Sequence, residues 1–412
     1  MFFKNSLLVF PALLLLIISA CAPQPSPKAQ IKRNAIPSSP IISEQQQPDL
    51  SIGAIDPATP SIKIALLVPL SGESASVGNA MVDAATLALY DSYLTVPSDQ
   101  IRAQLTVIPK DTGVNVTETK KATEKAIEQG ATFVIGPLFS QSVTAIKPLL
   151  QEKNIPMLSF SNNKAVASAN TYTFGFLPEQ QVERIAEYAY LNKLQRVALL
   201  APNDPYGEKV RDTLSESYTK KGGMLTSAEL YAPSMANIDA AVSRIVGAYN
   251  NAPEERRFQA IFIADGGAQM HNIIKSLRKS NINLQKIKLL GAGIWDDKEF
   301  SKIPELHGAW FPSSPPELYE VFAKRFTTTY GYKPIRLAAL AYDAVSIVAK
   351  IAMSGRGINA EDLTDSKGFD TPAGGLVRIK VTGVSDRKLA IMEITPDGFK
   401  VVDYAPRSFT DK

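Results

Sequence analysis

From residue 62 onward the chain alternates short apolar runs with longer stretches whose apolar positions recur every three or four residues. Ile62-Lys63-Ile64-Ala65-Leu66-Leu67-Val68 is nearly continuous in apolar character and stops at Pro69, the pattern of a strand buried on both faces. Past Leu70-Ser71-Gly72-Glu73, the residues Met81, Ala85, Ala88 and Leu89 share one helical face. The same alternation predicts strands near 103–109, 132–136 and 155–159, with helices near 115–130 and 140–152. A second series starts with a helix over 179–193 and the strand Arg196-Val197-Ala198-Leu199-Leu200. In the turn that follows, Asp204 reads as an N-cap and Pro205 as the first helical residue. Val210, Leu214 and Tyr218 then line one helical face. Strands near 258–264 and 287–291 and helices near 237–249, 267–280, 317–330 and 336–354 precede a β-rich tail over 376–404. Two such series predict an α/β fold of two doubly wound, Rossmann-like lobes with a cleft between them. The chain is expected to cross between lobes more than once. The first lobe is placed at about 62–177 plus 309–375, the second at about 178–308 plus 376–412.

The first 61 residues follow a different pattern. Lys4 precedes an apolar run from Leu7 to Ile18, then Ser19, Ala20 and Cys21. A basic start, a short apolar core and small residues before a cut describe a secretory signal peptide. The run is shorter than the roughly 20 apolar residues that span a bilayer. Ile18-Ser19-Ala20-Cys21 resembles the bacterial lipobox, which implies lipidation of Cys21, cleavage before it and a periplasmic protein held to a membrane. Several acyl chains anchor durably where one is marginal. Ala22 is permissive for outer-membrane sorting. Residues 22–61 hold eight prolines and no aromatic residue, so they bury too little apolar surface to fold. As a linker they reach roughly 130 Å when stretched and roughly 35 Å as a flexible coil.

Composition narrows the chemistry. Cys21 is the only cysteine, which excludes an intramolecular disulfide, a CxxC zinc site and a cysteine nucleophile in the body. The net charge of +4 is spread over mixed Lys, Arg, Asp and Glu, without the concentrated basic face that nucleic acid requires. His271 and His307 are the only histidines and neither belongs to a zinc motif. No G-x-S-x-G elbow and no Walker loop is present, and Gly291-Ala292-Gly293 lacks the third glycine of a dinucleotide fingerprint. Neither catalysis nor a cofactor is expected.

Binding is better supported. Ligands of open α/β sheets settle where the carboxyl ends of strands lead into helices. Those positions hold Ser71, Ser140, Ser161, Asn162 and Asn163 in the first lobe, and Tyr206, Asp265 and Trp295 in the second. Helix N-termini among them attract carboxylates. Ser140 also reads as a plain helix cap, and Tyr206 and Trp295 also read as ordinary core or interface aromatics.

Leu67-Val68-Pro69-Leu70-Ser71-Gly72 with Gly78, Gly136-Pro137-Leu138-Phe139-Ser140, Ile155-Pro156-Met157-Leu158-Ser159 and Asp204-Pro205-Tyr206-Gly207 resemble the type I periplasmic binding proteins, the Leu/Ile/Val-binding group above all. The resemblance covers 62 to about 405. It implies two lobes joined by three crossovers and hinged around a small ligand, with Ser140, the Ser161–Asn163 loop and Tyr206 facing it. That family places an acidic residue after a late strand to pair the ligand's ammonium. Here the stretch reads Gly291-Ala292-Gly293-Ile294-Trp295, and neither Asp265 nor Asp296 falls cleanly on the motif. A buried ammonium without a counter-charge is costly, which argues against ordinary amino acids.

Gly175-Phe176-Leu177-Pro178-Glu179-Gln180-Gln181-Val182-Glu183-Arg184, with Phe160-Ser161-Asn162, is similar to lipoproteins called penicillin-binding protein activators. That similarity implies a regulator that stimulates a peptidoglycan synthase. The large helical-repeat N-terminal domain of the best-known activators is replaced here by the proline-rich linker. Two functions therefore remain: a partner-binding regulator of cell-wall synthesis, or the solute-binding component of an ABC importer for an amino acid or similar polar molecule, working with a permease.

Overall fold

The computed structural model describes residues 59–97, 100–355 and 358–409. The expected signal peptide, Cys21 and most of the linker lie outside the described residues. The first lobe is built on β1 (Ser61–Val68), β2 (Gln104–Asp111), β3 (Phe133–Ile135), β4 (Met157–Ser159) and β5 (Thr171–Thr173). They form one parallel sheet in the order β2-β1-β3-β4-β5. Ile64 to Val68 are fully buried because α1 (Ala75–Thr95) covers one face and α2 (Val116–Glu128) and α3 (Ser140–Glu152) the other. Met81, Ala85, Ala88 and Leu89 point into that core, as their spacing predicts.

The second lobe begins with α4 (Pro178–Leu191), β6 (Arg196–Pro202), α5 (Pro205–Lys221), β7 (Met224–Tyr231) and α6 (Met235–Asn251). It continues through β8 (Ala260–Ile263), α7 (Gly267–Lys279), β9 (Lys288–Gly291) and β10 (Trp310–Ser313). Asp204 caps α5 by accepting from the Gly207 amide at 2.8 Å, with Pro205 in the first turn. Val210, Leu214 and Tyr218 are fully buried under that helix.

Helices α8 (Pro316–Tyr330) and α9 (Arg336–Met353) return to the first lobe. There α9 lies against α1 and buries nearly every side chain from Ala338 to Met353. Its neighbour α8 is tied to α1 through Tyr330, whose hydroxyl donates to the Asp83 carbonyl at 2.8 Å. After the short α10 (Ala360–Leu363), a three-stranded antiparallel sheet of β11 (Phe369–Thr371), β12 (Gly375–Ile379) and β13 (Ser385–Arg387) follows. Finally β14 (Ala390–Thr395) and β15 (Gly398–Asp403) join the second sheet, in the order β15-β14-β10-β9-β8-β6-β7.

The chain thus passes between lobes at 174–177, 314–315 and 388–389. Both expected boundaries in the C-terminal half move. The sequence places Trp310–Ser313 in the first lobe, but it pairs with Leu290 of β9 and with residues 390–393 of β14 in the second. The sequence places residues 376–387 in the second lobe, but Val377 and Ile379 are buried in the first lobe's core. The loop before β13 also binds β5, where the Thr173 amide donates to the Gly383 carbonyl at 2.8 Å. Residues 398–403 and 390–395 do lie in the second sheet.

Candidate functional site

Between the lobes lies a cavity of about 550 Å³. The first lobe contributes Leu138 and Phe139 from the turn into α3, Phe160 and Asn162 from the loop after β4, and Arg336 and Leu337 from the start of α9. The second contributes Gln181 of α4, Tyr206 of α5, Gly293, Ile294 and Asp296 after β9, and Ser313 at the end of β10. Most of these sit just beyond strand ends, as doubly wound sheets require.

One charged pair stands in the cavity wall. Asp296 of the second lobe forms an ion pair with Arg336 of the first, and both hydrogen-bond the Ser313 hydroxyl, which receives Arg336 Nη2 at 2.6 Å. The Arg336 guanidinium lies over the Tyr319 ring, 3.9 Å from its centre. Burial pulls the Arg336 pKa down to about 10, so it stays a cation at neutral pH. Asp296 is therefore committed to a partner within the chain. The Gly293 amide donates to Gln181 Oε1 at 2.8 Å, and a Cβ there would lie 2.9 Å from the same oxygen.

Asp296→Ala is expected to leave Arg336 half-buried and unpaired, lowering unfolding free energy by about 1–3 kcal/mol. Arg336→Met in the same background should return most of that loss. Urea titrations of the single and double variants check both.

The sequence-selected residues divide. Tyr206 and Asn162 line the cavity. Ser140 does not; it lines an adjoining cavity of about 430 Å³ with Asn115 and Gln141, which shares Phe139 and Asn162. Nor is it a cap, since Phe139 holds the N-cap position and Ser140 is the first residue of α3. Ser161 is buried and its hydroxyl accepts from the Asn163 amide at 3.2 Å, while Asn163 caps a short 3-10 turn. Both shape the loop that presents Asn162. Ser71 is exposed in the turn after β1 and lines neither cavity.

Asp265 stands behind Tyr206 rather than in the cavity wall. Its carboxylate accepts from the Tyr231 hydroxyl at 2.7 Å and from the Gly266 amide at 2.8 Å. Trp295, expected as an aromatic wall of the cleft, is a core residue. It is fully buried, its indole N–H donates to the Asp265 carbonyl at 2.9 Å, and its ring lies against the bare Cα of Gly291. The Tyr206 hydroxyl is buried without a hydrogen-bond partner among the described residues. Burial, then the charges of Asp265 and Asp204, push its pKa far up, so it remains a protonated donor.

Two residues that the motifs do not single out back the site. Asp343 of α9 and Arg387 of β13 stand 4.0 Å apart with side chains only 1% exposed. The Ala373 amide donates to Asp343 Oδ1 at 2.9 Å, and Arg387 Nη2 donates to the Phe174 carbonyl at 2.9 Å. The Arg387 guanidinium lies 4.4 Å from the centre of Phe174 and 5.3 Å from that of Phe176, a cavity-lining ring. Burial raises the Asp343 pKa to about 6 against the pull of Arg387, and lowers that of Arg387 to about 10. Among the described residues no cluster of His, Cys, Asp and Glu could hold a metal ion.

Two parallel-stranded lobes, three crossings and an interlobe cavity invite comparison with known proteins. The profile of the periplasmic binding proteins matches residues 61–399. The chain belongs to that family. Among curated relatives, an uncharacterised protein of Rickettsia prowazekii is 25% identical over 228 residues, covering 55% of this chain and 59% of its own length. The penicillin-binding protein activator LpoA of Photobacterium profundum is 27% identical over 190 residues, 45% of this chain and 29% of that relative. This chain therefore spans less than two thirds of the length of both curated relatives. Among solved structures, a putative branched-chain amino acid ABC transporter protein of Rhodospirillum rubrum matches with a TM-score of 0.72 at 17% identity, over 83% of this chain and all of that one. The two-lobed type I fold expected from the motifs, and the likeness to the activators, both stand.

Proposed function

We propose that this member of the periplasmic binding proteins is a non-enzymatic, lipid-anchored regulator of the penicillin-binding-protein-activator kind, which acts by touching a peptidoglycan synthase. The observation that carries this reading is the Asp296–Arg336 pair: among the described residues, the one acidic side chain in the cavity wall is already neutralised from within the chain. A cleft built to collect amino acids would keep that carboxylate free for an ammonium. The relatives named as activators support the same reading. So do the lipobox-like end at Cys21 and the linker behind it, which together suit a protein that reaches a partner at a distance from an outer-membrane anchor.

Crosslinking in intact cells tests it. Capture of a peptidoglycan synthase is expected, and its absence together with capture of an ABC permease would sink the proposal. Cys21→Ser should move the protein from the membrane to the soluble fraction on cell fractionation; retention on the membrane would refute the anchor.

The second reading, a solute-binding component of an importer, is favoured by the cavity itself, with Tyr206 and Asn162 in its wall. Micromolar binding of a free amino acid in calorimetry, abolished by Tyr206→Ala, would favour it over the regulator.

A further inference from the structure

The cavity has a chemical preference that holds whether or not the protein touches a synthase. Its wall is largely apolar, with Leu138, Phe160, Phe176, Ile294, Leu337 and Leu389 among its contributors. Among the lining residues the charged side chains are Arg336 and Asp296, and they are paired with each other. A volume of about 550 Å³ falls in the range of small-molecule sites, roughly 300–1,000 Å³.

We infer that the cleft accepts an uncharged, predominantly apolar ligand bearing a carbonyl or hydroxyl oxygen, and selects against zwitterions and simple ions. An anion drawn to Arg336 would strip Asp296 of its partner, and a cation drawn to Asp296 would strip Arg336. Each exchange leaves a charge uncompensated in a partly buried wall, which is unfavourable. A zwitterion would have to insert between the two groups. It would part an existing ion pair, displace both groups from the Ser313 hydroxyl and lose the hydration of two ligand charges. Arg336 is poorly placed to swing toward such a ligand because its guanidinium is stacked on Tyr319. A neutral ligand disturbs none of this.

Asn162 supplies the positive half of the selection. It is exposed in the cavity wall, and its amide can hydrogen-bond a carbonyl or hydroxyl oxygen on an otherwise apolar ligand. Tyr206 belongs to the same wall, but its hydroxyl is buried away from the cavity surface.

Matched probes separate the cases: N-acetyl-L-phenylalaninamide is neutral, L-phenylalanine a zwitterion, phenylacetate an anion and phenethylamine a cation, all with one aromatic body. Calorimetry on the full chain carrying Cys21→Ser should show the amide binding at least about tenfold more tightly than any charged probe. Asn162→Ala should weaken the amide by about fivefold to tenfold, the worth of one hydrogen bond. Binding of L-phenylalanine as tight as the amide overturns the inference. So do the lack of saturable amide binding in the millimolar range and an unaltered affinity in Asn162→Ala.

Discussion

Asp343→Ala is expected to destabilise the protein by about 3–5 kcal/mol, the penalty for leaving a buried cation without its counter-charge. Arg387 would keep its stacking on Phe174 and one bond to the Phe174 carbonyl, while its Nε and Nη1 already lack hydrogen-bond partners among the described residues. Stabilities of order 5–15 kcal/mol make such a loss close to decisive. Replacing both partners, Asp343→Leu with Arg387→Met, should recover most of it, since a buried pair and an apolar substitute are often near equal. Denaturant melts of the three variants check the pattern. A single variant no worse than the double would overturn the account.

The same carboxyl sets a pH signature. Its unfolded pKa is near 3.9 and its folded value is raised to about 6, so between these values the folded protein binds the extra proton. The stabilising contribution is full below about pH 4 and is lost as the pH rises through about 6. Asp343→Asn should flatten the dependence of melting temperature on pH across that window.

Gly207→Ala is the second large effect. Gly207 lies in the first turn of α5, where an added Cβ would collide with the Pro202 carbonyl oxygen and stand 3.3 Å from Ala201 Cβ. Neither backbone nor helix can give way without lifting Val210, Leu214 and Tyr218 out of the core. A loss of about 3 kcal/mol is expected, the upper range of overpacking. Gly247→Ala in α6 is the matched control. Nothing lies within 4 Å of the place its methyl group would take, and exchanging glycine for alanine inside a helix gains roughly 0.5–1 kcal/mol. Urea unfolding of both variants should shift in opposite directions.

Gly78 repeats the Gly207 arrangement in the first lobe, where an added Cβ would meet the Pro69 carbonyl oxygen in the same way. Each lobe thus holds a strand that leads through a proline into a helix crossing close above it, and in both cases those residues are legible as motifs. Helix α3 runs over 140–152 as its periodicity predicts, because its buried positions Val143, Ile146 and Leu150 are purely local signals. Strand β7 leaves no such signal because it is an edge strand, half-buried over most of its length, and so lacks a continuous apolar run. Four-residue β10 contains Pro312 and reads as a loop.

The cleft is legible only in part. Tyr206 follows from its cap motif, whereas the partnership of Asp296 with Arg336 joins groups forty positions apart and leaves no periodic trace. Trp295 misleads because an aromatic beside glycines suggests an open wall, when the glycine at 291 is what lets the indole pack inward. Asp343 does leave a signal: a lone acid within the apolar run Leu337 to Met353.

The three crossings carry a consequence for the order in which the chain becomes a protein. The first sheet is complete once Thr173 has been made, but the helix that seals α1, namely α9, begins at Arg336, and β13, which holds Arg387, comes later still. During synthesis and export the second lobe's β6 to β10 would emerge before the first lobe is closed, leaving the apolar side of α1 open for well over a hundred residues of chain growth. A fragment ending near residue 315 would keep both sheets' central strands and still lack the cover of one lobe. No single proteolytic cut could release either lobe, since two connections would survive it.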